Sequence, residues 1–274
     1  MAKWWTGDVA DHDFVARLFR RIQPAVVYHL AGAVSARADL ALVLPTFDTL
    51  LRGAINVLAC AAGAPQTPRV VLIGSLTEPD PAEPTAVVGS PYGAAKWAAG
   101  VYGRMFHDLF DTRVAICRPT YVYGPGQPAE RLIPYVITSL LKGEPPVLSS
   151  GRLTTDFVYV DDVAEGLAAA ADARGLDGAA VDLGSGQSMT VRELVLELVR
   201  LTHSDVQPRF GEMADRPLER HRAADTEGAA ARLGWRAATS LEEGLIRSIE
   251  WYRARLEACD AVPALPPAAH GRAR

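Results

Sequence analysis

Cysteines are few in this sequence, and they are widely separated. The 274 residues contain three, Cys60, Cys117 and Cys259, an odd number at spacings that fit neither a disulfide framework nor a metal knuckle. The histidines also lack metal-ligand spacing. The sequence therefore predicts no metal site, and the scarcity of cysteine favours a reducing compartment, the cytoplasm.

Basic residues are not in excess either. Lysine and arginine number 28 against 32 aspartates and glutamates, which gives a formal net charge of -4. Nucleic acids and anionic membranes bind clustered positive charge, so we expect no nucleic-acid partner. No uninterrupted apolar run approaches the ~18 residues of a membrane span, and the first residues lack the apolar core of a signal peptide. We therefore expect no membrane partner.

Strand and helix patterns alternate regularly along the first half of the chain. Short apolar runs at 25–30, 69–73 and 113–118 predict strands buried on both faces of a parallel sheet. Apolar residues at three- and four-residue spacing predict helices over Pro45–Ala62 and Ser90–Phe110. Because parallel neighbours need a crossover, usually a helix, this order predicts an α/β fold with a doubly wound parallel sheet.

The second half predicts a smaller α+β lobe. Thr190–Glu193 and Ser240–Glu243 are capping boxes that begin amphipathic helices. We expect the strands of the lobe at 156–160 and 180–183. Turns rich in proline and glycine separate these short elements.

We divide the chain into three parts. Residues 1–127 form the parallel-sheet domain, residues 128–258 form the smaller lobe interleaved with it, and the proline-rich residues 259–274 form a mobile tail. With 49% hydrophobic residues, the chain is long enough to bury one sizeable core.

Tyr92 and Lys96 are the first candidates for chemistry. They lie four residues apart in a helical pattern and so share one helix face. A phenol has a pKa near ~10, and a nearby ammonium lowers that pKa toward the range of a general base. The spacing alone is weak, because an exposed pair of this kind is common.

Ser75 strengthens this interpretation. It follows the predicted strand 69–73, at the carboxyl edge where open α/β sheets bind ligands, and it precedes Tyr92 by one loop. A hydroxyl there can bind a substrate oxygen while Tyr92 moves the proton, although a turn serine is the plainer alternative. We predict that Ser75, Tyr92 and Lys96 are catalytic.

Ten short motifs, in this order, resemble those of the extended short-chain dehydrogenase/reductase family, of the NAD-dependent epimerase/dehydratase kind that acts on nucleotide sugars. The resemblance covers about residues 5–255. It implies a Rossmann-like sheet, with 1–127 as the dinucleotide-binding domain and 128–258 as the substrate lobe. The motifs are Asp8-Val9, His29–Gly32, Gly53–Leu58, Ile73–Ser75, Tyr92–Lys96, Arg118–Gln127, Asp156–Asp162, Asp182–Gly186, Arg216-Pro217 and Leu233–Trp235.

The resemblance implies that NAD or NADP binds at the edge of the sheet. Asp8-Val9 matches the pair that meets the adenine, Leu30–Val34 matches the turn under the ribose and phosphates, and Thr120 matches a backbone contact near the nicotinamide. Tyr92 would be the acid/base, and Lys96 would hold the nicotinamide ribose. The implied cofactor-binding residues are Asp8, Val9, Leu30, Ala31, Gly32, Ala33, Val34, Tyr92, Lys96 and Thr120.

The implied substrate is a nucleotide sugar. Arg216 matches an arginine that clamps the diphosphate, work that suits a guanidinium, and Tyr121 stands where relatives commonly have Asn. Leu76-Thr77 replaces the Asp-Glu pair of dehydratases, which argues against 4,6-dehydration and leaves an epimerase or a ketoreductase. The implied substrate-binding residues are Ser75, Thr77, Tyr121 and Arg216. The resemblance also implies a homodimer.

One part of the family pattern is missing. No G-x-x-G-x-x-G motif, which binds the pyrophosphate at a helix N-terminus, occurs in the sequence. We therefore expect the sheet to lack its first strand-helix-strand unit, which leaves strand 25–30 as an edge prone to aggregation. Either the start of translation is assigned too far downstream, or residues 1–13 or another subunit cover the edge. Trp4 and Trp5 are then remnants of a strand or part of that cover.

The same gap leaves a second function open. A divergent family member with weak or no nicotinamide binding would perform acid/base chemistry without redox, using Tyr92, or would serve as a binding or assembly subunit.

Overall fold

The computed structural model describes residues 2–32, 34–79, 87–216, 218 and 222–260. The α-helices in these ranges are α1 (His12–Ile22), α2 (Val43–Thr46), α3 (Gly53–Ala62), α4 (Pro91–Phe110), α5 (Leu132–Leu141), α6 (Val160–Asp172), α7 (Val191–Thr202), α8 (Thr226–Leu233) and α9 (Leu241–Asp260). The strands are β1 (Val26–His29), β2 (Arg69–Ile73), β3 (Val114–Pro119), β4 (Tyr121–Tyr123), β5 (Val147–Leu148), β6 (Thr154–Tyr159), β7 (Ala180–Leu183), β8 (Ser188–Thr190) and β9 (Arg209–Phe210).

The main sheet is parallel throughout, with the strand order β1-β2-β3-β7. Its register aligns Tyr28 with Val71 and Val71 with Ala115. This confirms the doubly wound parallel sheet and the three strands that the apolar runs predict. The assignment of Ala180–Leu183 to the smaller lobe is wrong, because this strand pairs with β3 and extends the main sheet.

Helices cover both faces of this sheet. Val70 and Leu72 of β2 pack on the side of α3 and α4, whereas Val71 packs on the side of α6 with Leu167. Side chains alternate between the faces along a strand, so a strand covered on both sides is apolar at every position. That is why these strands appear in the sequence as continuous apolar runs.

The smaller lobe has its own core between α5, α7 and α9. Two small sheets accompany it: β4 pairs parallel with β6, β6 pairs antiparallel with β8, and β5 pairs with β9. The capping box at Thr190 is present in full, since its hydroxyl and the Glu193 carboxylate each accept the other's backbone N–H. At Ser240 only the first half of the box forms, as Ser240 Oγ accepts the Glu243 N–H.

The C-terminal helix continues past the expected start of the tail. Helix α9 runs to Asp260, so residues 259–260 are helical. Residues 261–274 lie outside the described residues.

Strand β1 is an edge strand. In the part of the chain that the structure describes, it pairs only with β2, and Ala2–Gly7 form no strand beside it. Trp4 is 93% exposed and therefore covers nothing. Trp5 lies under the guanidinium of Arg21, 4.8 Å from the ring centroid, and so packs on α1.

A long helix precedes β2. A 3-10 turn (Leu40–Leu42), α2, a π-helical segment (Phe47–Arg52) and α3 form one continuous helix, so the predicted Pro45–Ala62 helix begins earlier than expected. It is the one helix of the described residues that is long and apolar enough to span a membrane by length and composition, with a mean hydropathy of 1.3. Leu58 on its inner face is buried in the core, which accounts for part of this apolar character.

Candidate active site

Ser75, Tyr92 and Lys96 meet at the carboxyl end of β2. Ser75 lies two residues after the strand and is buried. Helix α4 begins at Pro91, where the Ser90 side chain accepts the Gly93 N–H and proline suits the first helical position. This start places half-buried Tyr92 in the first turn and buried Lys96 one turn later.

Hydrogen bonds join the three side chains to the strand end. The Tyr92 phenol lies near the Ser75 side chain, which opposes the rise in its pKa, and Ser75 Oγ lies 2.9 Å from Thr77 Oγ1. Lys96 Nζ donates to the Ile73 carbonyl at 2.8 Å and lies 5.9 Å from the centroid of the Tyr92 ring. The predicted trio is therefore one connected cluster.

The pKa of Tyr92 differs from the expectation. Burial raises the pKa of this phenol, while its hydrogen bond with Ser75 and the charge of Arg131 act in the opposite direction. The expected lowering of the Tyr92 pKa is therefore wrong in its net direction, because burial outweighs the opposing influences, and the Lys96 ammonium donates its hydrogen bond to the Ile73 carbonyl. Tyr92 is consequently a neutral phenol at pH 7.

Burial lowers the pKa of both Lys96 and His29. Burial lowers the pKa of Lys96 to about 8, and the negative charge of Glu78 opposes that change. His29, at the end of β1, is also buried, and burial together with the Lys96 charge lowers its pKa to about 4. Lys96 is thus charged and His29 neutral near pH 7.

Asp8 and Val9 form a turn that is tied to α3. The Asp8 carboxylate accepts the Ala10 N–H at 2.8 Å, and Val9 packs against Gly53, where a Cβ would lie 2.8 Å from Val9 Cγ1. Buried Asn56 donates to the carbonyls of Val9 and Ala10, both at 3.0 Å. In the sequence Asn56 is only one member of a motif, and its buried amide is what fixes this turn.

The loop after β1 holds the remaining expected cofactor residues. Leu30, Ala31, Gly32 and Val34 are exposed, and Ala33 lies outside the described residues. Gly32 has φ +139°, and a Cβ there would lie 2.0 Å from Leu50 Cδ2. Gly32 is therefore required both by its backbone conformation and by the close packing of Leu50.

Thr120 lies between β3 of the main sheet and β4 of the lobe. Its N–H donates to the Leu183 carbonyl at 3.0 Å. Tyr121 is half-buried, with its ring 5.4 Å from that of Phe157. Arg216 is exposed in the lobe, next to Asp215, whose carboxylate accepts the Ser150 N–H.

A carboxylate that the motifs did not single out lies beside the cluster. Glu78 Oε1 accepts the Ser75 N–H at 2.7 Å, and burial raises the pKa of this carboxyl. The sequence carried a signal for it, since an acidic residue three positions after Ser75 lies at the same strand end. The resemblance assigns no role to this position, so the motifs alone do not identify it.

Comparison with known proteins gives a consistent result. The NAD dependent epimerase/dehydratase family matches residues 2–184. A UDP-glucose 4-epimerase of Mycolicibacterium smegmatis is 29% identical over 259 residues, which covers 90% of this chain and 81% of the relative.

Two solved structures are similar along nearly the whole chain. A UDP-glucose 4-epimerase of Thermotoga maritima, solved with UDP-glucose, has a TM-score of 0.83 at 25% identity, with 93% of this chain and 85% of that chain covered. A double mutant of a dTDP-glucose 4,6-dehydratase from Streptomyces venezuelae, solved with NAD and DAU, has a TM-score of 0.81 at 28% identity, with 92% and 80% covered. The family match, which covers more than half of the chain, and the similarity of fold agree: the chain belongs to the NAD-dependent epimerase/dehydratase family.

Proposed function

We propose that the chain is a nucleotide-sugar epimerase or ketoreductase that works through Ser75, Tyr92 and Lys96 with NAD or NADP. The observation that carries this proposal is the meeting of Ser75, Tyr92 and Lys96 at the carboxyl end of β2, where Lys96 Nζ donates to the Ile73 carbonyl and lies 5.9 Å from the centroid of the Tyr92 ring. A proton donor, a polarising hydroxyl and a fixed cation at one sheet edge are suited to the reaction of an alcohol or a ketone.

Each side chain has a role in this proposal. Ser75 binds the reacting sugar oxygen, and Tyr92 takes or gives the proton of that oxygen. Lys96 binds the ribose hydroxyls of the cofactor. When bound, the nicotinamide supplies acceptance and return of a hydride. Because burial raises the pKa of the Tyr92 phenol further above neutral pH, proton donation to a ketone is the easier direction there, and oxidation of an alcohol gains as the pH rises.

Dehydration is disfavoured by the residues that follow Ser75. Leu76 is buried and apolar, and Thr77 shares a hydrogen bond with Ser75. Neither can serve as a carboxylate acid or base for loss of water from a sugar. This supports epimerisation or ketone reduction over 4,6-dehydration.

We propose contacts of the described residues with the nicotinamide, the ribose and the adenine of the cofactor. The loop after β1, which contains Gly32, is exposed, Lys96 of α4 donates to the end of β2, and Thr120 directly follows β3. Lys96, Tyr92 and Thr120 would hold the nicotinamide and its ribose, and the loop 30–34 would lie under the ribose and phosphates. The 274 residues contain no G-x-x-G-x-x-G motif, so we assign no glycine-rich helix N-terminus of this chain to the pyrophosphate. Asp8 and Val9 are proposed for the adenine.

The substrate is proposed to be a nucleotide sugar. UDP-glucose is named in the solved structure of the Thermotoga maritima relative. In this chain, Arg216 is proposed to pair with the diphosphate, while Thr77 and Tyr121 line the sugar site. A guanidinium suits a diphosphate because it donates two parallel hydrogen bonds.

The experiment is a turnover test with UDP-glucose and dTDP-glucose. Each sugar nucleotide is incubated with the chain and NAD or NADP, and products are identified by proton NMR. Formation of the C4 epimer, or reduction of a supplied 4-keto sugar nucleotide by NADH or NADPH, supports the proposal. Formation of a 4-keto-6-deoxy product, or turnover without any nicotinamide, contradicts it and indicates dehydration or the non-redox alternative.

We further propose a homodimer in the cytoplasm, built on the faces of the two helices that flank the sheet. Leu40, Leu44, Trp97 and Val101 are large apolar residues exposed on the Leu40–Ala62 helix and on α4. These two helices contact each other, and we propose that their exposed apolar residues belong to one contact surface. A second copy of the chain would remove that surface from water.

A further inference from the structure

Glu78 lies directly behind the cluster of Ser75, Tyr92 and Lys96. Its Oε1 accepts the Ser75 backbone N–H at 2.7 Å. The same oxygen occupies the space beside Gly74, where a Cβ would lie 2.5 Å from it. The carboxylate is therefore held against the turn that follows β2, and a side chain at Gly74 would displace it.

The second carboxylate oxygen faces α4. A Cβ at Gly100 would lie 3.9 Å from Glu78 Oε2. Gly100 is one helical turn after Lys96 and one before Arg104, so the three share one face of the helix. The carboxylate thus approaches the helix between its two cations, at a position where the helix has no side chain.

Cations approach Glu78 from two elements. Lys96 and Arg104 lie on α4 and Arg118 lies near the end of β3, and the charge of each opposes the rise that burial causes in the pKa of Glu78. Glu78 in turn opposes the fall that burial causes in the pKa of Lys96. His29, which approaches Lys96 from β1, has its own pKa lowered and is neutral.

We propose that Glu78 is a positioning residue, which fixes the turn of Ser75 and provides the counter-charge that keeps Lys96 an ammonium. This inference rests on the proposed function, since Lys96 matters there as the cation that binds the cofactor ribose. The hydrogen bond of Lys96 goes to a neutral carbonyl, that of Ile73. The charge of Lys96 must therefore be compensated by a nearby carboxylate. Among the described residues, Glu78 is the carboxylate whose charge acts on the pKa of Lys96.

The protonation of Lys96 can be measured without any turnover. The sequence contains only three lysines, Lys3, Lys96 and Lys142. Competitive labelling of amines with acetic anhydride across a pH series, followed by peptide mass spectrometry, gives a labelling midpoint for each. Exposed Lys142 on the surface of the lobe is the internal control.

The test compares Glu78→Gln with the wild type and with Glu144→Gln, an exposed glutamate outside the site. The amide oxygen of the introduced glutamine can still accept the Ser75 N–H, so this variant removes the charge and keeps the hydrogen bond. We expect Lys96 to be labelled roughly 3- to 10-fold faster at pH 7 in Glu78→Gln, with Lys142 unchanged, because the ammonium loses its counter-charge. Glu144→Gln should leave both lysines as in the wild type.

An unchanged Lys96 midpoint in folded Glu78→Gln overturns the proposal. If that variant does not fold, the labelling midpoint of Lys96 in the wild-type chain still tests the proposal. A midpoint below pH 7 means that no counter-charge keeps Lys96 an ammonium at neutral pH, which also overturns the proposal. A midpoint near 8 supports it. Failure of the proposed function gives a different result, namely absence of nicotinamide binding while the Lys96 midpoint still responds to Glu78.

Discussion

At the scale of single residues, the proposed chemistry depends on the phenol of Tyr92. It is the only group of the cluster that can both give and take a proton at the reacting oxygen, since Ser75 is too weak an acid and Lys96 is turned toward the Ile73 carbonyl. Removal of the phenolic oxygen leaves the ring and the packing in place. The Tyr92→Phe change is therefore a clean test of acid/base chemistry.

We expect Tyr92→Phe to lower kcat by roughly 10²- to 10⁴-fold, the usual contribution of a positioned acid or base. The KM for the sugar nucleotide should change little, because Ser75 and the substrate lobe are untouched. Initial rates of the turnover assay measure this, and circular dichroism verifies the fold. Tyr28→Phe, at a half-exposed residue of β1, is the matched control. A Tyr92→Phe enzyme within a few-fold of the wild type would remove Tyr92 from the mechanism.

His29 predicts a dependence of stability on pH. Its folded pKa of about 4 lies below the reference value of 6.5, so the unfolded chain binds the proton more tightly. The contribution of His29 to stability is therefore complete above about pH 6.5 and is lost as the pH falls toward 4, by up to about 3 kcal/mol.

Urea unfolding at pH 7, 5.5 and 4 measures this effect. The free energy of unfolding should fall less with pH in His29→Gln than in the wild type, and His12→Gln, an exposed histidine on α1, should behave as the wild type does. Parallel pH profiles for all three chains would mean that His29 accepts a proton in the folded state.

Single residues are also where sequence reasoning was incomplete. Tyr92, Lys96 and Ser75 could be predicted to lie together because a helix face and a strand end can be recognised from spacing. The direction of the Tyr92 pKa shift and the proposed role of Glu78 could not be predicted in this way. Both depend on how deeply a side chain is buried and on which carbonyl accepts the Lys96 hydrogen bond. Neither property is a local feature of the chain.

At the scale of elements, buried carboxylates connect the lobe to the main sheet. Asp156 of β6 is fully buried and accepts four hydrogen bonds: from Ser185 N–H at 3.0 Å, Ser185 Oγ at 2.6 Å, Gly186 N–H at 2.9 Å and Ala224 N–H at 3.1 Å. Gly184, at the start of this loop, has no room for a Cβ beside Thr120. Asp156 thereby fixes the loop after β7 next to the proposed nicotinamide contact.

We expect Asp156→Ala to lower the free energy of unfolding by roughly 3 kcal/mol, because four hydrogen bonds to a buried carboxylate are lost and the buried Ala224 N–H is left without its acceptor. The exposed neighbour Asp161→Ala, in the first turn of α6, should cost less than about 1 kcal/mol. Chemical denaturation of both variants gives the comparison. Equal losses would show that the hydrogen bonds of Asp156 are replaced by water.

Elements were predicted well where one face or both faces are buried. β2 and β7 occur at the predicted residues, and α4 begins one residue after the predicted start of its helix at Ser90. What the sequence did not reveal is which sheet β7 joins, since strand pairing depends on contacts between residues far apart in the chain. The π-helical segment Phe47–Arg52 was also missed, because its periodicity differs little from that of an α-helix.

At the scale of the whole molecule, the exposed apolar faces of the Leu40–Ala62 helix and α4 predict association. Leu44→Arg places a charge in the proposed contact, so we expect it to convert a dimer to a monomer in size-exclusion chromatography with light scattering. Leu196→Arg, at an exposed leucine on α7, is the control and should leave the dimer intact. A wild-type chain that is monomeric at micromolar concentration would contradict the dimer.

The most direct test of the central claim is isothermal titration of the 274-residue chain with NAD and with NADP. The account predicts that at least one of them binds more tightly than millimolar and that Lys96→Ala weakens this binding by about tenfold or more, because the ammonium is lost from the ribose contact. Binding that is millimolar or weaker for both cofactors would contradict a nicotinamide-dependent function of this chain.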